Sequence, residues 1–182
     1  MKSKLTLSIT LLAAVGVASA QMNPSVGGRA MSMRKTIVAN ALNSPMHTTL
    51  VAAVKAAGLV DTLNAKGPYT VFAPVNDAFE NLPSGTVDTL LKPENKGTLT
   101  KVLTYHVVPG RWDYNRIARA IRQGGGMARL RTASGGTLTA MMNGPRNVVL
   151  KDAKGMTASI STYDVYQSNG VIHVINSVLM PR

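Results

Sequence analysis

The run Gly67-Pro-Tyr-Thr-Val-Phe-Ala-Pro-Val-Asn-Asp-Ala-Phe79 restricts what this chain can become more than any other stretch. Tyr69 to Ala73 is a short run of apolar and β-prone residues, the pattern of a buried strand. Pro74 stops it, because proline has no N–H to give to a ladder. Asn76 then stands where a helix N-cap is expected, and Asp77 and Glu80 place negative charge where a helix N-terminus attracts it. A second apolar run, Ser168-Asn-Gly-Val-Ile-His-Val-Ile-Asn-Ser-Val-Leu-Met-Pro181, ends the chain, and Leu103-Thr-Tyr-His-Val-Val-Pro-Gly110 lies between the two.

Around these blocks the periodicity changes once. Thr36 to Asn43 reads as a short helix with Ile37, Val38, Ala41 and Leu42 on its apolar side, broken by Ser44-Pro45. His47 to Ala57 reads as a second helix, with Leu50, Ala53, Val54 and Ala57 on one face and Gly58 as C-cap. Leu59 to Leu63 adds a turn. Thr86 to Leu91 is a further helix, capped by Ser84 or Thr86. Asn95 to Thr104 turns Leu99, Val102 and Leu103 inward and runs into a strand, Tyr105 to Val108, ended by Pro109-Gly110. Asp113 to Gln123 is amphipathic along Ile117 and Ile121, and Gly124-Gly125-Gly126 closes it. Short strands follow, at Met127–Thr132, Thr137–Met141, Val148–Lys151, Met156–Thr162, Gly170–Val174 and Val178–Met180, separated by Gly- and Asn-rich turn signals. Helices that lead and strands that follow predict an α+β domain. No internal repeat is present.

The N-terminus reads as an export signal over residues 1–20. Lys2 and Lys4 precede an uncharged run, Leu5 to Val17, and Ala18-Ser19-Ala20 is a small-x-small cleavage site. A membrane span needs about 20 apolar residues, and this run is too short. The expected product starts at Gln21 and is secreted or periplasmic. Residues 21–34, with Pro24 and Gly27-Gly28, read as a flexible arm, and the compact domain is expected over 35–182. The chain has no cysteine, so thiolate zinc sites and thiol nucleophiles are excluded. The whole chain carries 20 Lys+Arg against 8 Asp+Glu; without Lys2 and Lys4 the balance is 18 to 8, a net charge of +10. Two readings of that charge stand: attraction to anionic surfaces, or general solubility.

Candidates for chemistry are few. His106 sits at a helix-to-strand junction, either as a general base or metal ligand or as a buried imidazole bonded to backbone. His173 alternates with apolar neighbours and is read as a surface or sheet-packing residue. His47 is read as a helix-start residue. Three scattered histidines and two glutamates, Glu80 and Glu94, give no metal-ligand spacing, and no nucleophile elbow or phosphate loop occurs. No metal, cofactor or catalytic residue is therefore expected. Arg111, Arg116, Arg119, Arg122, Arg129 and Arg131 fall close together with Asp113 as their one acidic neighbour, and Trp112 and Tyr114 stand among them. Arg116, Arg119 and Arg122 step by three along the polar side of one helix. That ridge is either an anionic-surface contact or a solvated face whose side chains lie over the core. The methionines supply either an adaptable apolar groove or ordinary core filling.

In order and spacing, the three blocks resemble the two signature boxes and the central Tyr-His motif of the fasciclin (FAS1) family. The likeness runs from Thr36 to Pro181. It implies a wedge-shaped β-sandwich with several helices packed along one edge, and a non-catalytic role in adhesion at the cell envelope or matrix. It also implies that Tyr105 and His106, with the adjoining Val107 and Val108, form the adhesion segment. The partner it implies is a cell-surface or matrix protein; the positive charge adds an anionic polysaccharide or an anionic membrane surface, and the export signal argues against nucleic acid. Some FAS1 proteins bind carotenoids, so a carrier of an apolar small ligand, a carotenoid or lipid, is the alternative. The chain departs from the family in Asn176, where an acidic residue often stands, in its heavier arginine ridge, and in lacking both an Arg-Gly-Asp and a lipobox cysteine.

Overall fold

The computed structural model describes residues 23–182, and in it the two apolar runs lie side by side. Strand β1 (Tyr69–Pro74) pairs in parallel with β7 (Gly170–Ile175), Phe72 opposite His173. Every residue of β7, and all of β1 except Tyr69, is buried. Neither run alternates polar with apolar because a strand covered on both faces has no solvent side. Val71, Ala73, Ile172 and Val174 face a core shared with helices, while Phe72 and Ile175 face a second core on the other side. The two segments meet backbone to backbone. A Cβ on Gly67 would run into the Asn169 carbonyl oxygen, and one on Gly170 into that of Tyr69. Glycine at both positions lets the strands start in register.

The described residues form one seven-stranded sheet in the order β2-β1-β7-β6-β5-β4-β3, with β2 (Val107–Pro109), β3 (Met127–Arg131), β4 (Thr137–Met142), β5 (Val148–Lys151) and β6 (Thr157–Gln167). All neighbours other than β1 and β7 are antiparallel. β6 joins the two halves: Thr157–Ser159 pairs with β5, and Ile160–Gln167 with β7. Register shifts after Ile160 and after Thr162, with Asp164 at φ 56°, bend it between those roles. The sheet thereby folds over onto itself as a sandwich, and the Ala133 N–H, just past β3, donates to the Val107 carbonyl of β2.

Helices α1 (Ile37–Ala41), α2 (Thr48–Ala57), α3 (Val60–Asn64), α4 (Asn76–Glu80), α5 (Thr86–Leu91) and α6 (Lys96–Tyr105) gather on the β1–β7 side, and α7 (Tyr114–Gln123) lies on β3 and β4. Thr36 caps α1 with its side chain, and Gly58 ends α2 in the left-handed conformation, as their sequence positions imply. No helix among the described residues is long and apolar enough to cross a membrane.

Several elements differ from expectation. Asn76 does not cap its own helix. Its Oδ1 accepts the Thr49 N–H at 3.1 Å, and its Nδ2 donates to the Pro45 carbonyl, so it caps α2 across the fold. α5 follows Gly85 without a side-chain cap from Ser84 or Thr86. The described part of the N-terminal arm is docked rather than loose: Val26 and Met31 enter the helix-side core, and the Asn23 amide bonds both backbone groups of Tyr166. β6 runs to Gln167, five residues beyond its expected end. Val178–Met180 is not a strand, for a reason that lies with His106. The export signal, the cleavage site and residues 21 and 22 lie outside the described residues.

Candidate functional site

Tyr105, His106, Val107 and Val108, expected as a contact segment, are all buried, with Tyr105 at 0% and His106 at 3% exposure. Their side chains hold the fold together from inside, which corrects the expectation that they touch a partner. The helix α6 also runs through Tyr105, so the strand is shorter than the sequence suggested. The Tyr105 hydroxyl donates to the Thr137 carbonyl at 2.8 Å and accepts the Ala153 N–H at 3.0 Å, tying α6 to the start of β4 and to the β5–β6 turn. Tyr105→Phe removes only that oxygen and strands both backbone groups. A loss of about 2 kcal/mol in urea unfolding is expected; an unchanged midpoint would mean that water replaces the hydroxyl.

His106 makes two backbone bonds in opposite directions. Leu179 N–H can only donate, so Nε2 accepts it at 3.0 Å, and Nδ1–H therefore donates to the Val102 carbonyl at 2.8 Å. Burial pushes its pKa down from 6.5 to about 4, with the Val102 carbonyl and Asp152 pulling weakly the other way. Asp152 Oδ2 accepts the next amide, Met180 N–H, at 2.9 Å. Side chains thus take the amides of Leu179 and Met180 that a neighbouring strand would otherwise take, and the C-terminal segment stays non-strand. Asp152 was not singled out in the sequence. Its position after a strand end announced the local turn, where Oδ1 accepts the Lys154 and Met156 amides, but not its reach to Met180.

A second buried histidine fixes the turn after β2. His173 is fully buried, packed against Phe72 at 5.6 Å and edge-on to Tyr163 at 5.9 Å. Of the surface and sheet-packing readings, the second is the one found, because β7 has no exposed face. Its Nδ1 accepts the Asp164 N–H, so Nε2–H donates to the Trp112 carbonyl at 2.7 Å. Burial lowers its pKa, against the pull of that carbonyl and of Asp164. Thr70 of β1 takes the other side: its hydroxyl accepts the Trp112 N–H at 2.8 Å and donates to the Gly110 carbonyl. Nothing local in the sequence linked Thr70 or His173 to Trp112. His47 is also buried, bonded through Nδ1 to Ser44 Oγ at 2.8 Å.

Arg116, Arg119 and Arg122 are exposed on α7, as the helical spacing implies. They do not act alike. The Arg116 guanidinium lies 4.1 Å from the Trp112 ring centre and donates to the Arg111 carbonyl, so it is folded back, whereas Arg119 and Arg122 continue along the exposed side. Asp113, the acid nearest them, caps α7 by accepting the Arg116 N–H at 2.8 Å. Arg129 and Arg131 point outward from β3 beside this face. Two open clefts of about 430 and 580 Å³ flank Trp112 and Arg129.

One apolar cavity of about 120 Å³ lies between α1, α2, α3 and β1, lined by residues such as Ile37, Leu50, Leu63 and Val71. Among the described residues no three His, Asp or Glu side chains converge as metal ligands do.

A fasciclin domain family model matches residues 45–181. Protein sll1483 of Synechocystis is 44% identical over 175 residues, covering 96% of this chain and 89% of that protein. The cell surface glycolipoprotein MPT83 of Mycobacterium tuberculosis is 36% identical over 168 residues, covering 89% of this chain and 68% of that one. Among solved structures, a FAS1 domain pair from the insect cell adhesion molecule Fasciclin I matches with a TM-score of 0.59 at 20% identity. The match covers 76% of this chain and 45% of that one, and it speaks for the fold alone. Family match, relatives and fold agree with the paired boxes in adjacent strands of the sheet: the chain belongs to the fasciclin (FAS1) domain family, with an α+β fold of helices packed against a β-sandwich.

Proposed function

We propose that the protein is an exported, non-catalytic fasciclin module that attaches to anionic material of the cell envelope or extracellular matrix. The observation that carries this reading is an exposed arginine face whose nearby acids are otherwise engaged. From Lys96 to Arg182 the chain has twelve Lys and Arg against three acids, Asp113, Asp152 and Asp164. Each of the three accepts backbone N–H groups: Asp113 from Arg116, Asp164 from Tyr114, and Asp152 from three residues. The remaining five acids all lie between Asp61 and Glu94, on the helical part. Such a separation of charge draws a polyanion to one side of the molecule. A cell surface glycolipoprotein among the relatives and the signal-like N-terminus support an envelope or extracellular location.

Binding of the protein to its own cell envelope should weaken as salt rises, because the screening length falls from about 10 Å at 0.1 M to about 3 Å at 1 M. Arg116→Ala, Arg119→Ala and Arg122→Ala together should weaken it by about tenfold, with Arg119 and Arg122 contributing most because Arg116 is tied to Trp112. The melting temperature should change little, since all three are exposed. Binding unchanged at every salt concentration would remove the electrostatic basis of the reading.

The alternative, a carrier of a carotenoid or lipid, finds its support in the apolar cavity between the helices and β1. Its volume of about 120 Å³ suits a group near the size of benzene and falls below the roughly 300 Å³ at which small-molecule pockets begin. Attachment through the arginine face is therefore the better supported reading.

A further inference from the structure

We infer that Trp112, Arg129 and Arg131 form a cleft that binds a linear carboxylated or sulfated polysaccharide. The inference rests on the arginine face being an anion-binding surface, and adds to it a specific site and ligand class. Trp112 is held at every polar point. Thr70 Oγ1 accepts its backbone N–H, His173 Nε2–H donates to its carbonyl, and its indole N–H donates to the Pro109 carbonyl at 3.2 Å. The Arg116 guanidinium covers the ring from 4.1 Å. Two of these holds come from buried side chains of β1 and β7, so the position of the tryptophan is fixed by the core of the domain and is set before any ligand arrives.

The surroundings define what that side chain would meet. Trp112 and Arg129 line both open clefts, which places the two on either side of this pair, with about 430 Å³ on the α7 side and about 580 Å³ on the β2 side. Arg131 lines the second. Arg129 and Arg131 are two apart on one strand, so they project to the same side and lie roughly 7 Å from each other along it. Two adjacent open clefts that share Trp112 and Arg129 suit an extended chain that spans both rather than a compact ligand. Guanidinium forks match carboxylate and sulfate groups in two-point contacts. Trp112 lines the wall of both clefts, with Arg116 over one face of its ring, and gives the site an apolar contact surface beside the guanidinium groups. Insertion into a membrane calls for apolar side chains that protrude; here the tryptophan is half-buried, with its N–H already committed to Pro109.

Trp112 is the one tryptophan in the chain, so intrinsic fluorescence reads this cleft directly. The full chain would be titrated at low salt with polygalacturonate, heparin, neutral dextran and anionic phospholipid vesicles. Saturable shifts in emission with one or both of the first two, and none with dextran, are expected. Arg129→Ala with Arg131→Ala should weaken that binding about tenfold or more. The paired lysine variants should fall between, because charge is kept and the fork is lost. Arg146→Ala, in the β4–β5 turn, should leave affinity within about twofold, and unchanged melting temperatures would show that all variants fold. Polyanion binding that leaves the emission unmoved and survives loss of Arg129 and Arg131, yet fails without Arg116, Arg119 and Arg122, would overturn the cleft and keep the arginine face. Binding to vesicles alone would overturn the ligand class. No binding to any polyanion would overturn both readings.

Discussion

His106→Ala is expected to lower the unfolding free energy by about 3–5 kcal/mol, the largest effect of any single substitution considered. Two costs add. The imidazole lies in the interior, so truncation leaves a cavity. It also leaves the Leu179 N–H and the Val102 carbonyl without their partner in a place water does not reach. The C-terminal segment depends on this bond because no neighbouring strand takes the Leu179 amide. Denaturant unfolding measures the loss directly, and hydrogen exchange at Leu179 and Met180 should rise in the variant before the rest of the domain opens. His106→Gln, which offers both a donor and an acceptor, should recover part of the stability. The variant also separates two roles for the Tyr-His motif. If His106 acts only from inside, folded His106→Ala protein at low temperature binds the envelope as the parent does. A destabilisation below about 1 kcal/mol combined with lost binding would reverse that assignment and restore the motif as a contact.

Acid is the second large effect. An unfolded chain gives His106 a pKa near 6.5, whereas the folded protein holds it near 4. The unfolded state therefore binds the proton first as pH falls. The stability that neutral His106 contributes is fully present above pH 6.5. It is lost progressively as pH falls from 6.5 to about 4 and changes no further below that. The difference amounts to about 3 kcal/mol. His173 and His47 are shifted downward by burial as well, so their contributions have the same sign. Protonation of His106 would also set a new N–H against the Leu179 N–H, which has no acceptor capacity. Denaturant midpoints at pH 7.5, 6, 5 and 4 should fall steadily, and the fall should be visibly shallower in His106→Gln. Equal slopes in the two proteins would show that His106 does not titrate in this range.

Much of the scaffold was legible in the chain because its causes are local. Asp113 accepts the amide three residues on, so it announces where α7 starts. Gly58 stands where only a left-handed residue ends a helix cheaply, and Arg116, Arg119 and Arg122 recur at a spacing that exposes one side of a helix. An unbroken apolar run marks β1 as a buried strand, and the order and spacing of the two runs with the Tyr-His block carried the family. Legibility failed where a side chain works at a distance. Asn76 is placed to cap its own helix, yet it caps α2, because the Thr49 amide comes within its reach only after the helices have packed. β6 outran its expected length because its second part belongs to a different partner strand, and partner identity is not written in period two.

The sequence by itself determined most of the element types and the basic face of α7, which follow from neighbours a few residues apart, and the family, which follows from the order and spacing of three blocks. Only the tertiary structure decided that Tyr105 and His106 are inside, that Leu179 and Met180 are held by His106 and Asp152 and not by a strand, and that Thr70 and His173 fix Trp112. The physical reason is the same in each case. A buried polar group must find a partner, and which group comes within about 3 Å of it is settled by packing between segments up to 73 residues apart.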